Sequence, residues 1–84
     1  MTYQVLLLPS AQRDVDDIRG KLFDRLKSAI TILASNPRPR GSLKMTGEGG
    51  YRVRVGDYRI LYRIDDALKK IFIYRIKHRR EVYR

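Results

Sequence analysis

His78, Arg79, Arg80, Glu81, Val82, Tyr83 and Arg84 close the chain and hold its only histidine. A histidine exchanges a proton near neutral pH, with an ordinary pKa of about 6.5. Arginine grips phosphate through a planar fork of donors. A tyrosine ring stacks on a nucleobase for roughly 1 to 3 kcal/mol. A proton carrier, phosphate grips and a stacking ring in one short stretch suit chemistry on RNA. Each has a plainer alternative. His78 could cap a strand or touch RNA without moving a proton, and Tyr83 could pack on a sheet edge. Glu81 is read as a partner for a neighbouring arginine.

A second set of cations lies upstream, in Tyr51-Arg52-Val53-Arg54-Val55-Gly56-Asp57-Tyr58-Arg59-Ile60-Leu61-Tyr62-Arg63. Gly56-Asp57 reads as a two-residue hairpin loop, with glycine supplying the positive φ that such turns need. That loop fixes the pairing: Val55 with Tyr58, Arg54 with Arg59, Val53 with Ile60, Arg52 with Leu61 and Tyr51 with Tyr62. Alternation then puts Tyr51, Val53, Val55, Tyr58, Ile60 and Tyr62 on one face. Arg52, Arg54, Arg59, Leu61 and Arg63 take the other. Arg54 opposite Arg59 is costly: at about 5 Å the repulsion is roughly 1 kcal/mol in water and about 3 kcal/mol at an effective dielectric of about 20. An anion bound between them turns that cost into affinity. The alternative is that both side chains splay into water.

These residues need elements to hold them. Tyr3 to Leu8 reads as a strand stopped by Pro9-Ser10. Ser10 is the expected N-cap of a short helix carrying Ala11, Val15 and Ile18 on one face, and Gly20 ends or bends it. A second helix over 21–35 aligns Leu22, Leu26, Ala29, Ile30 and Leu33, and Asn36-Pro37-Arg38-Pro39 stops it. Asp14, Asp16, Asp17 and Asp24 are read as a solvated acidic face. Residues 37–50 form a loop with Arg38, Arg40 and Lys44. Strands over 51–55, 58–64 and about 70–77 complete the order β-α-α-β-β-β. The fold class is α+β: an N-terminal strand, a helical hairpin and a three-stranded antiparallel meander, forming one antiparallel sheet with both helices on one face. If the last strand buries Phe72, Tyr74 and Ile76, then Ile71, Ile73, Arg75 and Lys77 share the arginine face. Leu61, Ile71 and Ile73 would then form an exposed apolar patch suited to a protein partner.

The chain has 84 residues and is read as one domain, 1–84, with one modest core. Net charge is +10, from 19 Lys+Arg against 9 Asp+Glu. Residues 1–37 contribute +1 and residues 38–84 contribute +9, a segregation that solubility alone does not require. It points to a polyanionic partner. There is no cysteine, so neither disulfides nor thiolate metal sites arise, and a single histidine leaves no multi-histidine site. No cofactor or metal is expected. The start lacks the marks of a signal peptide, and no apolar run approaches the roughly 20 residues that span a bilayer. A soluble cytoplasmic protein with no membrane role is the expectation.

The element order, the 51–62 segment and the tail 78–83 together resemble the RelE/ParE superfamily of bacterial and archaeal toxins. Lys44-Met45-Thr46-Gly47 is similar to that family's Lys-Leu-x-Gly lead-in to its second strand. The resemblance covers nearly the whole chain and sits closer to the RelE-like branch. It implies a toxin of a type II toxin–antitoxin system that enters the ribosomal A site and cuts messenger RNA. It also implies a RelB-like, acidic cognate antitoxin in a hetero-oligomeric complex. ParE-like members of the same fold instead poison DNA gyrase and are not nucleases.

The implied chemistry is metal-independent attack of the substrate's own 2′-OH. On the family pattern Arg59 contacts the scissile phosphate and Tyr83 stacks on an A-site nucleotide. Lys77 falls near an arginine that acts as acid or charge stabiliser. Arg52 and Arg54 stand where relatives carry lysines, one of them proposed as base. Arginine is a poor base at neutral pH, so Arg54 stabilises charge and His78 becomes the expected proton carrier. Arg52, Lys44, Arg75, Arg79 and Arg80 are the expected RNA contacts. Leu61, Ile71 and Ile73 are the expected antitoxin contacts.

Overall fold

The computed structural model of the chain describes residues 2–46 and 49–78. Strand β1 (Gln4–Leu7) leads directly into helix α1 (Pro9–Asp16). Proline's fixed φ and missing N–H suit the first helical position. The helix therefore starts two residues earlier than a Ser10 cap would allow, with Leu8 in the cap position and no side-chain capping bond. Helix α2 (Gly20–Ser35) follows, and Asn36 ends it in extended backbone ahead of Pro37. No helix among the described residues is long and apolar enough to cross a membrane.

A two-residue strand β2 (Leu43–Lys44), unforeseen in the sequence, precedes β3 (Tyr51–Val55), β4 (Tyr58–Asp65) and β5 (Lys70–His78). The sheet order is β1-β5-β4-β3-β2. All five hairpin pairs expected between β3 and β4 are present, and Gly56 has φ of 59° in the turn. Gly50 is fixed by space as well as by φ: a Cβ there would lie 2.7 Å from the Tyr62 carbonyl oxygen. The sheet is mixed rather than antiparallel throughout, because β1 runs parallel to β5. The helical hairpin carries the chain from β1 to β2 at the far edge, and the meander then returns β5 to lie parallel beside β1.

Both helices cover one face. Ala11, Leu26 and Leu33 meet Ile60, Tyr62, Ile71, Ile73 and Ile76, all 2% exposed or less. Each fully buried aliphatic side chain contributes about 1.5 to 3 kcal/mol. The Tyr62 hydroxyl donates to the Pro37 carbonyl (2.7 Å), and burial holds this phenol above its ordinary pKa.

The register between β4 and β5 slips between Leu61 and Tyr62: Leu61 pairs with Arg75, but Tyr62 pairs with Ile73. Tyr74 is the extra residue of this bulge. An extra residue inverts the alternation on one side of it. Ile76 therefore faces the core as expected, and Lys77 lies opposite Arg59, but Ile71 and Ile73 face the core too, at 0% exposure. Phe72 and Tyr74 take the arginine face in their place. The expected apolar patch of Leu61, Ile71 and Ile73 does not exist. The two isoleucines are core residues, and Leu61 is 7% exposed on the other face.

A polar knot closes the end of the sheet away from the β3–β4 turn. Arg38 donates to Asp66 (2.8 Å) and to the Tyr51 hydroxyl (3.1 Å), and Tyr3 donates to the same carboxylate (2.6 Å). The Arg38 guanidinium, and then the Tyr3 hydroxyl, lower the Asp66 pKa from 3.8 to about 2. The unfolded carboxylate therefore takes up its proton before the folded one does. Asp66 supports folding fully above about pH 5 and loses that contribution as pH falls towards about 2. Asp66→Asn is expected to flatten the acid side of the stability–pH curve while leaving the curve near neutrality lowered by a constant amount. Urea midpoints measured across that pH range check this, and a parallel curve with an unchanged acid slope would remove Asp66 from the account.

Candidate active site

Directly opposed residues share a sheet face, so the register resolves into rows across the three long strands. Arg54 on β3, Arg59 on β4 and Lys77 on β5 form one row on the face away from the helices. With strands about 4.8 Å apart, the three backbone positions span about 10 Å. Arg59, in the middle, is 8% exposed, whereas Arg54 is exposed. The Arg54 Nε donates to the Gly56 carbonyl (3.0 Å), which holds its guanidinium beside the turn. Such a row suits an anion, because a buried guanidinium grips a phosphate more strongly than an exposed one.

Arg52, Leu61 and Arg75 form the next open-face row. Arg52 joins Lys44, Met45 and Thr46 around a shallow cleft of about 230 Å³ at the β2–β3 edge, so these two expected RNA contacts do lie together. Arg75 is differently engaged. Asp14 on α1 accepts its Nε (2.8 Å) and Nη2 (3.3 Å), and also the Ile76 backbone N–H (2.8 Å). Beyond Ile73, β1 no longer covers the outer edge of β5, and Asp14 takes over that edge. Asp14 is thus a structural anchor with a side chain 18% exposed, not part of a solvated acidic face. Arg75 spends much of its donor fork on that carboxylate rather than on the cationic row.

His78 does not join the row. It pairs with Tyr58 and meets that ring edge-on at 5.1 Å between centroids. Tyr58 packs against the helix-side core, so His78 stands on the side opposite Arg59. The same alternation that brings Lys77 to Arg59 turns its neighbour away. Arg79, Arg80, Glu81 and Tyr83 lie outside the described residues.

The open face also holds residues that sequence reasoning placed in the core. Phe72 lies opposite Arg63, and the Arg63 guanidinium sits over the Tyr74 ring at 5.2 Å. The Tyr74 hydroxyl donates to Met45 Sδ at 3.7 Å. That contact links β5 to the segment after β2, with β4 and β3 between, so it spans the open face on which Leu61 lies. The run Ile71-Phe72-Ile73-Tyr74 is apolar at every position, so alternation alone could not assign its faces. Among the described residues no three His, Cys, Asp or Glu side chains converge as metal ligands would.

This architecture has relatives. Residues 5–83 match the family model described as "ParE toxin of type II toxin-antitoxin system, parDE". Toxin RelG of Mycobacterium tuberculosis is 33% identical over 90 aligned positions, covering 100% of this chain and 99% of that one. A chain of the toxin–antitoxin complex RelBE2 from Mycobacterium tuberculosis superposes with a TM-score of 0.81 at 30% identity, covering 94% of this chain and 100% of that one. A chain of the archaeal RelE–RelB complex from Pyrococcus horikoshii gives 0.80 at 30% identity, covering 94% and 97%. With this sheet, these rows and a family match over nearly its full length, the chain belongs to the ParE toxin family of type II toxin–antitoxin systems, within the RelE/ParE superfamily.

Proposed function

We propose that the chain is a RelE-like toxin that cuts messenger RNA on the ribosome and is neutralised by a RelB-like acidic antitoxin in a hetero-oligomeric complex in the cytoplasm. The row Arg54–Arg59–Lys77 is the observation that carries this reading. It is a prebuilt anion grip with a buried arginine at its centre, its donors in place before a phosphate arrives. The antitoxin rests on the relatives, whose solved forms include the RelBE2 and RelE–RelB complexes.

In the cleavage step the 2′ oxygen attacks phosphorus and the bond to the 5′ oxygen breaks. The products are a 2′,3′-cyclic phosphate and a 5′-hydroxyl. Arg54 and Arg59 hold the non-bridging oxygens as their charge grows. Lys77, an ammonium donor in the same row, gives its proton to the departing 5′ oxygen. Arginine and ammonium groups only donate, so the 2′-hydroxyl proton passes to water. Lys77 keeps the acid role that the resemblance implied for it, and His78, expected as the proton carrier, takes no part because it stands on the other side of the sheet.

The family's ParE description favours a second reading, gyrase poisoning without nuclease activity. Primer extension on messages from cells expressing the chain separates the two. Discrete cuts within codons are expected, whereas intact messages with induced DNA breaks would establish the gyrase reading instead.

A further inference from the structure

We infer that Arg63, Tyr74 and Phe72 form a nucleobase-stacking platform on the same face as the phosphate-gripping row. This rests on the RNA reading above and names what the other half of the face binds. The bulge at Tyr74 is its origin. Without the extra residue, Phe72 and Tyr74 would face the helices; with it, both join the arginine face and are absent from the helix-side core cluster. The ring of Tyr74 is then fixed from two directions, by its hydroxyl to Met45 Sδ (3.7 Å) and by the Arg63 guanidinium over its face (5.2 Å). Arg63 itself is exposed. Its flat guanidinium, backed by an aromatic ring, offers solvent the kind of planar surface on which unpaired bases stack. Phe72, directly opposite Arg63 on the neighbouring strand, is partly exposed beside it.

Charge selects the occupant. Over 51–55, 58–63 and 72–77, every ionisable side chain is arginine, lysine or tyrosine. A strand of alternating phosphates and flat bases matches that pattern at both levels. Tyr74 lies three residues from Lys77 along β5, about 10 Å, a span that an extended single strand covers in a nucleotide or two. The platform therefore holds a base close to the phosphate in the Arg54–Arg59–Lys77 row.

The test uses 2′-O-methyl RNA, which keeps bases and phosphates but has no nucleophile, and a strand of equal length and charge whose sugars are abasic. Fluorescence anisotropy with the full chain is expected to show about ten- to a hundredfold tighter binding of the base-bearing strand. Tyr74→Leu keeps an apolar side chain, and Arg63→Lys keeps the charge. Both are expected to bring the two affinities together while the salt dependence stays as in the parent. Arg59→Ala, in contrast, weakens both strands and keeps their ratio. Circular dichroism confirms that each variant is folded, and Arg63→Lys, an exposed change, carries the test if Tyr74→Leu does not fold. Equal affinities in the parent, or an undiminished ratio in a folded Arg63→Lys, overturn the platform. So does a pair of variants that bind RNA normally but lose an acidic antitoxin peptide, which would make the patch a protein surface. Base discrimination in a chain that cuts no message leaves the platform standing and removes only the nuclease reading.

Discussion

Replacing Arg59 with alanine is expected to abolish growth arrest on expression and to slow RNA cleavage by about 10²- to 10³-fold, the usual cost of removing one preorganised charge-stabilising donor. The size follows from position. Arg59 is the middle member of its row, is 8% exposed, and faces Arg54 on one side and Lys77 on the other. A surface arginine is worth little to a phosphate because water competes for it; one held in a low-dielectric setting is worth several times more. One lost phosphate contact should also lower the slope of log affinity against log salt by about 0.7 on a single strand. Arg59→Lys separates charge from geometry: it keeps the positive charge and the salt slope but loses the bidentate fork, so it should recover binding without recovering the full rate. An Arg59→Ala chain that folds and still arrests growth would show that the row is not the site.

Much of this candidate site is legible in the sequence. The two-residue turn at Gly56-Asp57 dictated every pair of the hairpin, and so the Arg54–Arg59 opposition. The segregation of charge into residues 38–84 pointed to a polyanion. What was not legible has a common cause. Sequence periodicity assumes an unbroken ladder, and β5 has a bulge. On the far side of Tyr74 the inferred faces hold, so Ile76 is buried and Lys77 meets Arg59. On the near side they invert, and Ile71 and Ile73 move from an imagined docking patch into the core. Nothing in Ile71-Phe72-Ile73-Tyr74 marks the phase, because each residue is content on either face. The parallel pairing of β1 was likewise hidden, since pairing partners distant in sequence leave no local signature. Asp14 looked like one acidic residue among several. Only the end of β1 at Leu7 explains why this carboxylate must serve the exposed edge of β5.

Lys77 and His78 are adjacent in sequence and opposite in orientation, and that separation predicts two variants with different failures. Lys77→Ala is expected to lower the cleavage rate by about 10²- to 10⁴-fold, the range that loss of a positioned general acid covers. Its effect on stability should be small or favourable, because the substitution removes a like charge from beside Arg59. His78→Ala should do the reverse. It removes the edge-on contact with Tyr58, which costs about 0.5 to 1.5 kcal/mol in an unfolding measurement, and leaves the cleavage rate of the folded chain nearly unchanged. The pH profile is the sharper readout. If His78 carried the proton, the parent rate profile would hold an inflection that His78→Ala erases. With Lys77 in the row and His78 beside Tyr58, parent and His78→Ala should give superimposable profiles. A bend that disappears with His78 would mean that the end of β5 rotates when RNA binds, bringing the imidazole round to the arginine face. The assignment of Lys77 as acid would then give way to the histidine.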